Sequence, residues 1–177
     1  MLISDQYAKE NQRQHELRNG YGERGFKHLP AIIRMAEIHK CTTVLDYGCG
    51  QGTLAAKAKK ISPLKFSNYD PAIPEFSALP ETADLVVCTD VLEHIEPTCL
   101  MSVIEHLASL CDKAFYFQIA TRPAGRILSD GRNAHLLIRD PYFWFDTLRA
   151  FFDITEVAVI PGHSVAFAGT RMGVTYP

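Results

Sequence analysis

Thr43-Val44-Leu45-Asp46-Tyr47-Gly48-Cys49-Gly50-Gln51-Gly52 is the stretch on which the rest of the chain depends. Val44 and Leu45 open a short apolar strand that Asp46 ends, and three glycines then alternate through Gly48, Gly50 and Gly52. Thr53 follows as a helix N-cap, and Leu54 to Lys60 is an Ala/Lys-rich run of good helix formers. The pattern is strand, tight glycine turn and helix N-terminus. Glycine suits the turn because it takes positive φ and lets a ligand approach the backbone. The helix that follows presents N–H groups to anything carrying negative charge.

Dinucleotide sites want G-x-G-x-x-G. Here the third glycine comes one residue too early for that fingerprint, and a strand-terminal acid precedes the turn. Asp46-x-Gly48-x-Gly50-x-Gly52 instead resembles motif I of the class I S-adenosylmethionine-dependent methyltransferases. The resemblance implies a glycine turn (Gly48, Cys49, Gly50, Gly52) beneath the methionyl part of S-adenosyl-L-methionine, with Asp46 orienting its amino group. It also implies an α/β fold: a doubly wound, mostly parallel Rossmann-like sheet with helices on both faces and a C-terminal antiparallel hairpin.

Composition sets the frame around this motif. The chain has 177 residues, enough for one full core and too few for two ordinary domains, so residues 1–177 are expected to form a single domain. Its 47% hydrophobic and 21% charged residues are those of a globular protein. A net charge of −2 and a pI near 6.4 provide no global basic field, so bulk nucleic-acid binding is not favoured. No stretch reads as a signal peptide or membrane span. The five cysteines, Cys41, Cys49, Cys88, Cys99 and Cys111, contain no C-x-x-C pair. They read as reduced core thiols in a cytoplasmic protein.

Residues 1–27 are polar, a short helix followed by a glycine-bearing loop at 19–25. That segment is either a surface connector or a cap over the cofactor with Tyr21 against it. Leu29, Ile32, Ile33 and Ala36 recur at helical spacing. Leu64 to Asp70 reads as the second strand, and Asp70, followed by Pro71, falls where a Rossmann-type fold puts an acid on the ribose hydroxyls. Residues 71–82 hold three prolines and are too few for the helix and third strand the family usually has here; at most one turn is expected.

Ala83 to Asp90 is a continuous apolar run, a strand buried on both faces. Thr89, Asp90 and Val91 at its carboxyl end are expected at the cofactor, with Glu93 and His94 facing the acceptor. Leu100, Val103, Ile104, Leu107 and Ala108 form the apolar stripe of a helix with Glu105 and His106 outside. Ala114 to Ala120 is a strand, 121–140 a long irregular loop over the acceptor site, and Pro141 to Phe152 an aromatic helix. Ile154 to Ile160 and Ser164 to Gly169, joined by P-G-H, form the closing hairpin.

Methyl transfer needs an aligned nucleophile and, for a hydroxyl or ammonium acceptor, a proton acceptor. His94 is the candidate base, with Glu93 beside it and His135 in the covering loop. Asp90-x-x-Glu93-His94 with His135 also resembles the divalent-metal site of small-RNA 3′-terminal 2′-O-methyltransferases, which implies Mg or Mn. Arg122, Arg126, Arg132 and Arg139 belong to a loop that is either solvated or binds an anionic acceptor. The function these residues imply is methyl transfer to an oxygen or nitrogen of a small metabolite or sugar, an anionic one if the arginines engage it. Metal-assisted methylation of an RNA 3′ end and a non-catalytic cofactor-binding subunit are the alternatives.

Overall fold

The computed structural model describes residues 1–17 and 25–173. Six strands form one sheet: β1 (Thr43–Tyr47), β2 (Lys65–Tyr69), β3 (Ala83–Thr89), β4 (Cys111–Ala120), β5 (Phe152–Ile160) and β6 (Ser164–Arg171). Their order is β2-β1-β3-β4-β6-β5. The pairs β1–β2, β1–β3 and β3–β4 are parallel, and β6 is antiparallel to both β4 and β5. This is the mostly parallel sheet with a closing antiparallel hairpin that motif I implies. Because β2 and β3 flank β1 on opposite sides, the crevice at the carboxyl ends of β1 and β3 is a topological switch point.

Helices α1 (Asp5–Leu17), α2 (Leu29–Ile38), α3 (Thr53–Ala58), α4 (Leu100–Leu110) and α5 (Pro141–Leu148) complete the fold. The pleat of β4 sorts the two cores. Phe115, Phe117 and Ile119 point to the face shared with Leu107 of α4 and Trp144 and Leu148 of α5. Ala114 and Tyr116 point to the other face, with Ile32 and Met35 of α2 and Leu54 of α3. A strand buried on both sides has no polar alternation to show, which is why β3 and β4 read as apolar runs. Each large side chain buried as completely as Trp144, Phe115 or Phe167 contributes roughly 1.5–3 kcal/mol.

Several boundaries differ from the sequence reading. β1 continues one residue past Asp46, to Tyr47, which pairs with Tyr69 of β2. Thr53 is not the N-cap of α3 but its first residue; Gly52 caps the helix in the left-handed conformation, φ 66°, without a side-chain bond. The aromatic helix stops at Leu148 instead of running to Phe152. Its start is fixed by Asp140, whose carboxylate accepts from the Phe143 N–H at 2.8 Å. Phe152 opens β5 and packs on Phe115 and Phe117, ring centroids 4.6 and 5.2 Å away. His106 does not project from α4 into solvent; its Nδ1 lies 3.0 Å from the Tyr47 hydroxyl.

Residues 71–82 hold only the single 3₁₀ turn Pro74–Phe76 and no strand, as their length requires, so β2 is an outer strand of the sheet. The N-terminal helix packs Tyr7 against Leu128 and Ala134 of the segment after β4. All five cysteines are buried and unpaired. Among the described residues, no helix is long and apolar enough to cross a membrane.

Candidate active site

A cavity of about 710 Å³ opens at the carboxyl ends of β1 and β3. One end is built by the glycine turn. Gly48, Gly50 and Gly52 all have positive φ, 77°, 53° and 66°, so the sequence spacing is the spacing of left-handed residues. At Gly48 a second constraint acts: a Cβ there would overlap both methyl groups of Val91, approaching Cγ1 to 2.9 Å. The turn is tied to β2, because the N–H groups of Gly48 and Cys49 both donate to the Tyr69 carbonyl.

Asp46, Gly48, Cys49 and Gly50 line the cavity, as do Asp70, Pro71, Thr89, Asp90 and Val91. Gly52 does not; it sets the helix start from behind, where Asn68 and Phe76 crowd the space a side chain would need. Tyr21, expected as a cap, lies outside the described residues. The Asp70 carboxylate accepts from the Gly50 N–H at 3.0 Å and the Ala72 N–H at 2.9 Å, so it organises the turn before any ligand arrives. Each oxygen keeps a further acceptor position. Burial, reinforced by the neighbouring carboxylate of Asp70, pushes the Asp46 carboxyl up to about 7. Asp90 is held at φ 56°, an uncommon conformation for a non-glycine, with its N–H donating to the Gln118 carbonyl. Backbone strain of this kind clusters at functional sites.

The other end is assembled from separate segments. Glu93 and His94 sit in the 3₁₀ turn Leu92–His94 just after β3. Glu93 does not face the acceptor space as the sequence reading expects: it is fully buried behind His94. Its Oε1 accepts from the Ala120 N–H at 2.9 Å, while Oε2 has no hydrogen-bond partner. Burial, with Asp90 adding repulsion, raises its carboxyl to about 8. The His94 Nδ1–H donates to the Ala134 carbonyl at 2.8 Å, and the His135 Nδ1–H donates to the Arg122 carbonyl at 2.6 Å. Both rings therefore present Nε2 as a bare acceptor. They meet edge to face, centroids 4.7 Å apart. Burial first, then the His135 ring, lowers His94 to about 4; burial lowers His135 as well.

One ligating atom each from Glu93, His94 and His135 lies within 4.8 Å of the others. Asp90 is not part of that cluster, so the four-residue set suggested by Asp90-x-x-Glu93-His94 and His135 is reduced to three. A carboxylate oxygen and two imidazole nitrogens, with the Ala134 and Arg122 carbonyls holding the protons of both rings on Nδ1, suit a divalent cation. They also suit proton acceptance from a substrate.

The segment 121–140 has more order than its composition suggests. Asn133 pins it: its Oδ1 accepts from the N–H groups of Ala124 and His135, and its Nδ2 donates to the Ala124 carbonyl. Ala134 N–H donates to the Arg126 carbonyl and Leu137 N–H to the Glu93 carbonyl. This stitching carries His135, Arg122 and Arg126 to the cavity wall. The N-terminal helix closes over it, with the Ser4 N–H and hydroxyl on Glu96, both at 2.8 Å, and the Ser129 N–H and hydroxyl on Glu10. Sequence reasoning missed Asn133 and His163, the latter lining the cavity from the hairpin turn. An Asn two residues before a candidate histidine was the one available signal for the first; nothing in P-G-H signalled the second.

Comparison with known proteins places this geometry. The family model described as Methyltransferase domain matches residues 10–160. No curated protein matches the chain in sequence. Among solved structures, magnesium protoporphyrin IX methyltransferase from Synechocystis PCC 6803 with bound SAH superposes with a TM-score of 0.61 at 16% identity, over 96% of this chain and 88% of that one. The 1,6-didemethyltoxoflavin-N1-methyltransferase of Burkholderia thailandensis, with its substrate and S-adenosylhomocysteine, gives 0.61 at 16% identity over 94% and 85%. The N-methyltransferase NodS from Bradyrhizobium japonicum WM9, with S-adenosyl-l-homocysteine, gives 0.58 at 13% over 93% and 97%. At such identities the likeness is one of fold.

Proposed function

Since the chain belongs to the methyltransferase-domain family and is a class I S-adenosylmethionine-dependent methyltransferase, we propose that it transfers a methyl group to an oxygen or nitrogen of a small metabolite or sugar. The observation that carries this reading is one cavity with carboxylates at its glycine-turn end and two imidazole Nε2 acceptors at the other. The residues present fit the cofactor. Gly48 to Gly50 offer backbone beneath a methionyl chain, Asp46 a carboxylate for its ammonium, and Asp70 open acceptor positions for ribose hydroxyls. When bound, the cofactor supplies an electrophilic methyl on a sulfonium.

The chain's own work is to align the acceptor and take its proton. His135 is better suited to that than His94, whose pKa near 4 makes it a weak base. His94 acts as a rigid acceptor that orients the substrate. Residues 121–140 form the wall over the acceptor and 1–27 the cap, within one domain over 1–177. The five free thiols support a reducing compartment such as the cytoplasm.

A second reading is favoured by the unpartnered Glu93 Oε2 together with the clustering of one ligating atom each from Glu93, His94 and His135 within 4.8 Å: a divalent metal, Mg or Mn, held by these three residues. Such an ion would polarise a vicinal diol, as at an RNA 3′ end.

Titration calorimetry with S-adenosylhomocysteine, with and without manganese, on wild type and Asp70→Ala tests both. Micromolar binding that weakens at least tenfold in Asp70→Ala is expected, and no binding by folded wild type would sink the assignment. A manganese signal abolished in His135→Ala supports the metal; its absence from wild type removes that reading.

A further inference from the structure

The two ends of the cavity differ in charge. The glycine-turn end has Asp46 and Asp70, with Asp90 at the junction and Lys27 the one Lys or Arg outside 121–140 among the described lining residues, a balance that suits a cofactor carrying an ammonium and a sulfonium. At the far end the charged groups that line the wall are Arg122, Arg126 and Glu96. Glu96 is already engaged, both oxygens accepting from Ser4.

The four arginines of 121–140 are sorted by the fold. Arg132 pairs with Asp130 at 2.6 Å, and Arg139 lies over the Phe143 ring at 5.4 Å. Arg122 and Arg126 instead line the cavity from the two strands of backbone that Asn133 and Ala134 hold together. The Arg122 guanidinium donates to His163 Nε2 at 3.3 Å, a ring nitrogen where Arg132 has a carboxylate. Arg126 is close enough to His94 for its charge to act on that ring. Two guanidiniums and the His163 imidazole thus border the space next to the Nε2 acceptors.

Building on the methyl-transfer reading, we infer that the acceptor carries a compact oxyanion, a phosphate or a carboxylate, gripped by Arg122 and Arg126 beside the histidine pair. Guanidinium forks match the paired oxygens of either group. The anion fixes the acceptor at one end so that its reacting oxygen or nitrogen lies beside His135. It also offsets the positive charge that these arginines put on that end of the cavity.

The test is a titration of protein saturated with S-adenosylhomocysteine, in zwitterionic buffer at fixed chloride, with inorganic phosphate and in parallel with acetate. Saturable binding of one anion is expected, weakened at least tenfold in Arg122→Gln and in Arg126→Gln, with S-adenosylhomocysteine affinity within twofold of wild type. Tighter phosphate than acetate assigns a phosphorylated acceptor, and the reverse assigns a carboxylate. Arg122 is exposed, so its variant reads out the site even where Arg126→Gln, checked by circular dichroism, loses its fold. No saturable anion binding by the loaded wild type, or equal binding by both variants, overturns the inference. Failure of S-adenosylhomocysteine itself to bind is a separate result and overturns the cofactor reading instead.

Discussion

Two aspartates at opposite ends of the same sheet show how this fold divides its labour. Asp84, near the amino end of β3, accepts from the Thr42 N–H at 2.7 Å, the Thr42 hydroxyl at 2.9 Å and the Thr43 N–H, and pairs with Lys113 at 3.0 Å. Burial is the largest single influence on its carboxyl and raises it, but these bonds together outweigh it and hold the carboxyl down to about 2. Asp46, near the carboxyl end of β1, is more deeply buried, and its nearest charged influence is another carboxylate, so it rises to about 7. One end of the sheet is satisfied within the protein. The other is completed by a ligand.

The sharpest way to break that division is Gly48→Ala. Positive φ and overlap with Val91 act together, and a loss of about 3 kcal/mol in urea denaturation is expected, with cofactor binding abolished in calorimetry. Asp46→Asn should separate stability from function. Removing a charge-assisted contact to the cofactor's ammonium costs about 2–3 kcal/mol of binding, a roughly 30- to 160-fold weaker dissociation constant. The ligand-free variant should be no less stable than wild type at pH 8. Asp84→Ala should do the opposite: about 2 kcal/mol less stable by denaturation, with cofactor affinity unchanged within twofold. Asn133→Ala should cost about 1 kcal/mol and leave cofactor binding intact while slowing turnover, since it unpins the wall that bears His135.

The smallest effect is the pH dependence, where the two acids have opposite signs. For Asp84, lowered from 3.8 to about 2, the stabilisation is present above about pH 4 and is lost as pH falls towards 2. For Asp46, raised from 3.8 to about 7, stability is greatest below about pH 4 and declines as pH rises through 7. Cofactor affinity should follow the second acid and increase across the same interval, because the ligand's ammonium selects the ionised carboxylate. Denaturation and calorimetry between pH 5 and 8, on wild type and Asp46→Asn, check this; a flat affinity profile in wild type would contradict it.

The same division governs what could be read in the sequence. The glycine-turn end is contiguous: Asp46 to Gly52 specify strand, turn and helix by themselves, and Asp70 follows one strand later. The missing strand after β2 was legible from the shortness and three prolines of 71–82 set beside the helix and strand that the resembled family usually has there. At the acceptor end, Glu93 and His94 come from one turn, His135 and the arginines from a loop, and His163 from a hairpin. Their proximity is created by β4 and β6 packing side by side and by Asn133, neither of which leaves a local pattern. The sequence reading also turned Glu93 toward the acceptor. A carboxylate just past a sheet strand reads as part of the site, whereas the Ala120 N–H supplies the partner that lets it lie inside. Thr53 misled in the opposite sense, since a left-handed glycine was already serving as the cap.

The carbonyls of Ala134 and Arg122 fix the protons of His94 and His135 on Nδ1, and both carbonyls belong to the wall over the acceptor. These two rings are therefore a native spectroscopic probe. In a long-range ¹⁵N–¹H correlation spectrum, an intact wall gives two rings in the less common Nδ1–H tautomer. A wall that swings away releases the His94 ring from the Ala134 carbonyl and lets it relax toward Nε2–H, while His135 travels with the Arg122 carbonyl of its own segment and keeps its tautomer. The protein thus reports the opening of its own acceptor chamber through the nitrogen resonances of one ring, with the other as its internal reference.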